Sequence, residues 1–194
     1  ARLLIDHVHT WVLAQPHALL SSQGKGLVLL DAALDADFDG QRRLWVSTER
    51  AAGMLKPDAK GRSATLRPKL LLPSPSWRLA DGGSQGMLAY GSDPADGKAP
   101  ALRLRDRRSL LEWPAHILGL QATPQGLVLA DPGGLWLIHV DGKPRALAFP
   151  RAARSMAWVE GAGLAVATED GAWLLPLDGG PTPFLSATGL RLRA

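Results

Sequence analysis

The stretch GLVLADPGGLWLIHVDGKP, residues 126–144, returns as GLAVATEDGAWLLPLDGGP at residues 163–181. With a shift of 37 residues, Gly126, Leu127, Ala130, Gly134, Trp136, Leu137, Asp141, Gly142 and Pro144 fall on Gly163, Leu164, Ala167, Gly171, Trp173, Leu174, Asp178, Gly179 and Pro181. A fixed period of about 20–50 residues marks a repeat architecture, in which each repeat is one supersecondary unit that buries its faces against its neighbours. Inside each copy, short apolar runs are separated by Asp-Gly and Gly-Gly steps. Such steps supply the left-handed backbone of tight hairpins, so the unit reads as strands and turns.

The register extends backwards. Residues 26–31, GLVLLD, match residues 126–131, GLVLAD, at five of six positions, and GMLAY at 86–90 stands in the same place. Four units follow, at about 9–73, 74–114, 115–150 and 151–188, within one domain spanning 1–194. The third unit reads as strands at 116–122, 126–130, 135–140 and 145–149, and the fourth at 155–159, 164–168, 172–177 and 182–185. The second reads as 77–79, 87–90, 101–105 and 109–113, and the first as 10–14, 27–30, 44–47 and 64–72.

Four-stranded antiparallel units at this period define an all-β class, and the chain resembles the β-propeller repeat proteins, with degenerate blades. The resemblance implies either a small closed four-bladed ring or part of a larger propeller, with 1–6 and 189–194 as strands that could close it. A two-sheet sandwich has strands at similar spacing, but no reason to repeat at a fixed offset.

Composition limits the function classes. Hydrophobic residues make up 46% of the 194, enough for a substantial core, and 21 Gly with 15 Pro interrupt almost every longer run. The absence of cysteine excludes a disulfide framework, a thiolate metal site and a cysteine nucleophile. No run of about 18 apolar residues occurs, so no membrane span is expected. Lys and Arg number 22 against 18 Asp and Glu, and the arginines alternate with leucine, as in LRLR at 102–105 and 190–193. That alternation reads as strands with arginine outward. It is not the clustered basic stripe with aromatics of a nucleic-acid binder, so no nucleic-acid partner is expected. The first residue, Ala1, suggests a trimmed or processed chain.

Loop lengths differ between units. From the shared Asp to the third-strand Trp, unit three takes residues 131–136, whereas unit one takes 31–45. The extra residues in unit one, AALDADFDG at 32–40, are acidic, and unit two has GSDPADGKAP at 91–100. Both sit where a propeller's second strand turns into its third. They are expected on one face, beside Asp131, Glu169 and Asp170, with the 48–62 connection and its Lys56, Lys60 and Arg62 on the other. Asp35, Asp37, Asp39, Asp93 and Asp96 are therefore the expected partner-binding residues, on an acidic rim facing a protein partner or a fused domain.

Asp35, Asp37, Asp39 and Gly40 match D-x-D-x-D-G, in which alternate carboxylates converge on a cation and Gly permits the turn. The continuation to Trp45 resembles the calcium loops of FG-GAP/VCBS propeller repeats, with Arg43 where that family places another Asp. The resemblance implies a Ca2+ site at Asp35, Asp37 and Asp39; no other cofactor is expected. Asp6, His7 and His9 approach the D-x-H-x-H of metal-dependent amidohydrolases with the spacing off by one, and read as histidines at a strand end. Trp45, Trp136 and Trp173 share a third-strand position and read as packing between blades. No G-x-S-x-G or phosphate loop occurs.

Two functions fit these residues. The first is a non-catalytic propeller scaffold for protein–protein interaction. The second is a calcium-dependent, lactonase-like propeller hydrolase, against which stands the absence of asparagine, a usual ligand in such channels.

Overall fold

A computed structural model describes residues 2–5, 10–14, 18–21, 26–29, 33–57, 63–67, 70–72, 77–91, 97–139, 143–149, 151–177 and 182–186. The chain divides into two compact units, Ala1–Pro114 and Ala115–Ala194.

The first unit opens with β1 (Arg2–Ile5), β2 (Thr10–Ala14), β3 (Ala18–Ser21) and β4 (Gly26–Leu29), an antiparallel meander. There follow β5 (Asp35–Phe38), β6 (Leu44–Ser47), β7 (Ala51–Pro57), β8 (Ser63–Leu66) and β9 (Leu70–Leu71). β5, β6 and β7 form a second antiparallel meander. β7 is long enough to serve two partners: Ala51 and Ala52 pair with β9, while Leu55 to Pro57 pair with β8. A short parallel pairing of β4 with β8, Val28 opposite Ser63, makes these nine strands one sheet. The unit ends in a separate antiparallel sheet of β10 (Arg78–Asp81), β11 (Met87–Tyr90), β12 (Ala99–Arg103) and β13 (Arg108–Trp113).

The second unit holds two such sheets: β14 (Gly119–Thr123), β15 (Gly126–Asp131), β16 (Gly134–Ile138) and β17 (Pro144–Ala146), then β18 (Ser155–Val159), β19 (Gly163–Ala167), β20 (Gly171–Leu175) and β21 (Thr182–Ser186). The sequence repeat is a backbone repeat: β15 and β19, and β16 and β20, start 37 residues apart. Gly126 and Gly163 show why the first repeated position is glycine. Their φ values are +142° and +125°, and a Cβ would lie 2.2 Å from the Ile138 carbonyl oxygen and 2.7 Å from that of Leu175. Only a residue without a Cβ lets the next strand pair so closely at its far end. Leu135, Leu137, Phe149, Leu164, Val166 and Leu175 meet in one core between the two sheets.

The strands expected in the second, third and fourth units are present to within a few residues. The 9–73 stretch departs from the expectation, its described residues holding eight strands where four were expected. The acidic 35–38 stretch, expected as a loop, is strand β5, and the 48–62 connection contains β7. The cause is periodicity. Ala36 and Phe38 alternate with Asp35 and Asp37, and Ala36 pairs with Val46 and Phe38 with Leu44, so one face of β5–β6 is apolar and packs onto Ala33 and Leu66. Trp45 consequently lies in β6, the second strand of its meander, whereas Trp136 and Trp173 occupy third strands as expected. β1 is a strand paired to β2, while 189–194 lies outside the described residues.

Candidate functional site

The other face of β5–β6 carries Asp35, Asp37, Trp45 and Ser47, and it meets the β10 sheet. Asp35 is buried, 6% exposed, and its Oδ2 accepts the backbone N–H of Leu79 at 2.9 Å. Ser47 Oγ donates to the carbonyl of Trp77 at 2.8 Å. These bonds fasten two neighbouring sheets with polar groups inside an apolar layer of Trp45, Ala52, Trp77, Leu79, Met87 and Leu104. Satisfied in this way, a buried carboxylate stabilises; without a partner it would cost several kcal/mol.

Asp39 follows the strand and builds the β5–β6 turn. Its Oδ1 accepts the backbone N–H groups of Gln41 and Arg43, both at 2.9 Å, and its Oδ2 accepts Arg43 Nε at 2.8 Å and the Trp45 indole N–H at 2.9 Å. Burial alone would raise this carboxyl, but the bonds from the Arg43 backbone, Trp45, the Arg43 side chain and Gln41 together hold it below the ordinary range. Asp81, at the end of β10, is displaced the other way. Burial pushes it up and the charge of Asp39 adds to that, while N–H groups of Gly83 and Gly40 oppose. Gly83 N donates to Asp81 Oδ1 at 3.0 Å.

Three turns gather at this end: β5–β6 (39–43), β10–β11 (82–86) and β12–β13 (104–107). Between them opens a cleft of about 700 Å³ lined by Asp39, Arg43, Trp45, Gln85, Met87 and Arg105, among others. The third turn is braced by Asp106, which takes two bonds from Arg103 and one from the Arg108 backbone. The Arg103 side chain is the main cause that lowers its carboxyl to about 2. Arg103 also donates through Nη1 to Gln85 Oε1 at 3.0 Å, holding the cleft wall. LRLR at 102–105 is thus only half a strand: β12 ends at Arg103, Leu104 is buried, and Arg105 turns out onto the cleft.

Two turn residues are conformationally unusual. Arg42, at φ 60°, and Arg107, at φ 56°, are the positive-φ residues other than glycine among the described residues. In the first turn Arg42 N bonds to Asp39 O at 2.7 Å, and the left-handed residue that follows a type I turn in a hairpin is usually glycine. Gly40, which the sequence suggested as the turn-maker, lacks a positive φ, and a Cβ there would meet only Asp81 Oδ2, at 3.9 Å. Placing arginine in this conformation costs about 1–2 kcal/mol at each site.

The expected site residues therefore separate. Asp35 ties sheets together, Asp39 ties a turn, and Asp37, half-buried, accepts the N–H of Phe38 at 2.9 Å. A calcium ion at these three would have to displace N–H donors from Asp35 and Asp39; among the described residues no group of three or more His, Asp or Glu side chains could hold a metal ion. Asp93 and Asp96 lie outside the described residues. The acidic 32–40 stretch leads into the first-to-second turn of its meander, not the second-to-third turn expected of it. In the second unit Asp131 accepts Gly133 N at 2.8 Å, Glu169 pairs with Arg154, and Asp170 pairs with Arg151 at 2.9 Å. Asp6, His7 and His9 lie outside the described residues. The signal for the cleft was present in the sequence as Arg43 and Arg105, but nothing local said that these two turns would line one cleft.

No protein-family model matches the chain, and no curated protein matches it by sequence. Solved structures do. PorZ, an essential surface component of the type-IX secretion system of Porphyromonas gingivalis, aligns over 94% of this chain and 25% of its own length, with TM-score 0.58 and 19% identity. Hydrazine synthase of Kuenenia stuttgartiensis aligns over 91% and 63%, with TM-score 0.63 and 11% identity. The dihydro-heme d1 dehydrogenase NirN, solved with DHE, aligns over 91% and 42%, with TM-score 0.54 and 16% identity.

The fold is a β-propeller.

At these identities the likeness extends to fold alone, and the chain spans from a quarter to just under two thirds of each neighbour. Propellers host unrelated functions, so the chemistry must be read from the site. Among the described residues no helix is long and apolar enough to cross a membrane.

Proposed function

We propose that this propeller is a non-catalytic scaffold that captures a protein partner on the cleft end of its first unit. The observation that carries the reading is the cleft itself. Its rim is made by turns of two neighbouring sheets, which the Asp35–Leu79 and Ser47–Trp77 bonds hold in fixed relation. A rigid scaffold presenting turns is the usual setting of a recognition surface. The surface differs from the acidic rim suggested by the sequence, because Asp35 and Asp39 are turned inward and arginines stand outside. A partner-capture experiment tests it: the wild-type chain should retain a partner from native extract, and Arg42→Glu with Arg105→Glu should release it. Equal retention by both would defeat the reading.

A second reading, a hydrolase, has one observation in its favour: Asp39 and Asp81 are neighbouring carboxyls displaced in opposite directions, an arrangement that suits acid–base work. A calcium-dependent form of it predicts a fall in Tm on adding a chelator. The scaffold reading expects none.

A further inference from the structure

Six arginines and three aspartates stand at the cleft end: Arg42, Arg43, Arg103, Arg105, Arg107 and Arg108 against Asp39, Asp81 and Asp106. The carboxylates are spent internally. Asp39 is taken by Arg43, Trp45 and two backbone N–H groups, Asp106 by Arg103 and Arg108 N, and Asp81 by Gly83 N. Arg42, Arg105, Arg107 and Arg108 form no ion pair among the described residues, and all four are exposed. Positive charge is therefore left over on two turns that reach the cleft through Arg43 and Arg105, with Arg105 itself in the lining.

The backbone points the same way. Arg42 and Arg107 occupy the left-handed position of the two turns that flank the cleft, where glycine would relieve the strain. Nothing described in the fold uses either guanidinium, so the strain is without a structural return. A bound carboxylate would supply one, since guanidinium and carboxylate make paired, charge-assisted hydrogen bonds.

We propose that the cleft takes an extended acidic segment of the partner protein, its Glu or Asp side chains engaged by Arg42, Arg105, Arg107 and Arg108. The inference rests on the partner-binding reading above and supplies the chemistry of the partner. The cations stand on two separate turns, which suits several carboxylates along a chain better than one small ion. A single-stranded nucleic acid held by base stacking would use exposed aromatic faces. The aromatic side chain lining the cleft, Trp45, is buried at 7% exposure with its N–H held by Asp39.

The test measures fluorescence anisotropy of a labelled glutamate-rich peptide, with a glutamine-rich peptide and a single-stranded oligonucleotide as comparisons. Wild type should bind the acidic peptide, and binding should weaken as salt rises. Arg42→Gly with Arg107→Gly, and separately Arg105→Gln, should each bind it about tenfold more weakly. The glycine pair should also melt higher than wild type by about 3 °C, which separates lost binding from lost folding. Absent binding by wild type, equal binding by the variants, or tighter binding of the oligonucleotide would each overturn the proposal. If partner capture from extract depends on Arg42 and Arg105 while the acidic peptide does not bind, the scaffold reading survives and this inference fails. If capture is indifferent to both arginines, the scaffold reading fails first.

Discussion

The β14–β21 sheets and the β5–β13 region use the same strand–turn plan for different ends. In the former, repeated glycines and apolar residues do almost all the work: Gly126 and Gly163 permit close pairing, and Leu137, Leu164 and Val166 fill the space between the sheets. In the latter, charged side chains enter the construction. A buried carboxylate spans two sheets, another organises a turn, and arginine takes backbone conformations normally left to glycine. Regularity belongs to the repeated sheets, and the departures from it cost strain and desolvation.

The largest expected effect belongs to the regular side. Gly126→Ala should lower stability by about 3 kcal/mol in denaturant unfolding, since the new methyl meets backbone and φ becomes strained. Gly163→Ala, with a longer approach, should cost less; the reverse order would break the claimed equivalence of the two repeats. Next comes Asp35→Ala, which strands the Leu79 N–H in the interior and should cost about 2 kcal/mol. Asp35→Asn keeps an acceptor and should recover most of it, and an Ala variant as stable as wild type would remove the sheet-fastening role.

Smaller effects concern Asp39 and Asp81, which should give opposite pH slopes. The Asp39 carboxyl is lowered in the fold, so its contribution is present above the ordinary carboxylate value, about 4, and is lost as pH falls through its folded value. The Asp81 carboxyl is raised, so its contribution is full below about 4 and is lost as pH rises through its folded value. Asp81→Asn should therefore melt higher than wild type at neutral pH and lose that advantage in acid. A pH-independent difference would show that the Asp81 carboxyl is not raised in the fold. The smallest effect is Gly40→Ala, within about 0.5 kcal/mol of wild type, because the left-handed residue of that turn is Arg42. A large loss there would return the turn-making role to glycine.

Much of this was readable in advance. The 37-residue repeat located β14–β21, and its register carried backwards located β10–β13, nearly strand for strand, because hairpin turns and period-2 apolar patterning are local properties. At 35–40 the same local reading failed, since alternating aspartates satisfy a cation loop and a strand equally. The apolar alternation of Ala36 and Phe38 was the available signal, and the acidic residues between them masked it.

The sequence by itself determined the all-β repeat class, the turn positions from β10 onward and the excess of cations, all of which depend on neighbours along the chain. Only the tertiary structure decided which charges are spent and which remain. Asp35 finds its donor 44 residues away at Leu79, and Arg43 and Arg105 come to line one cleft, because sheet packing brings distant turns together. A carboxylate's role follows from what desolvates it and what donates to it, and neither is written in its immediate sequence.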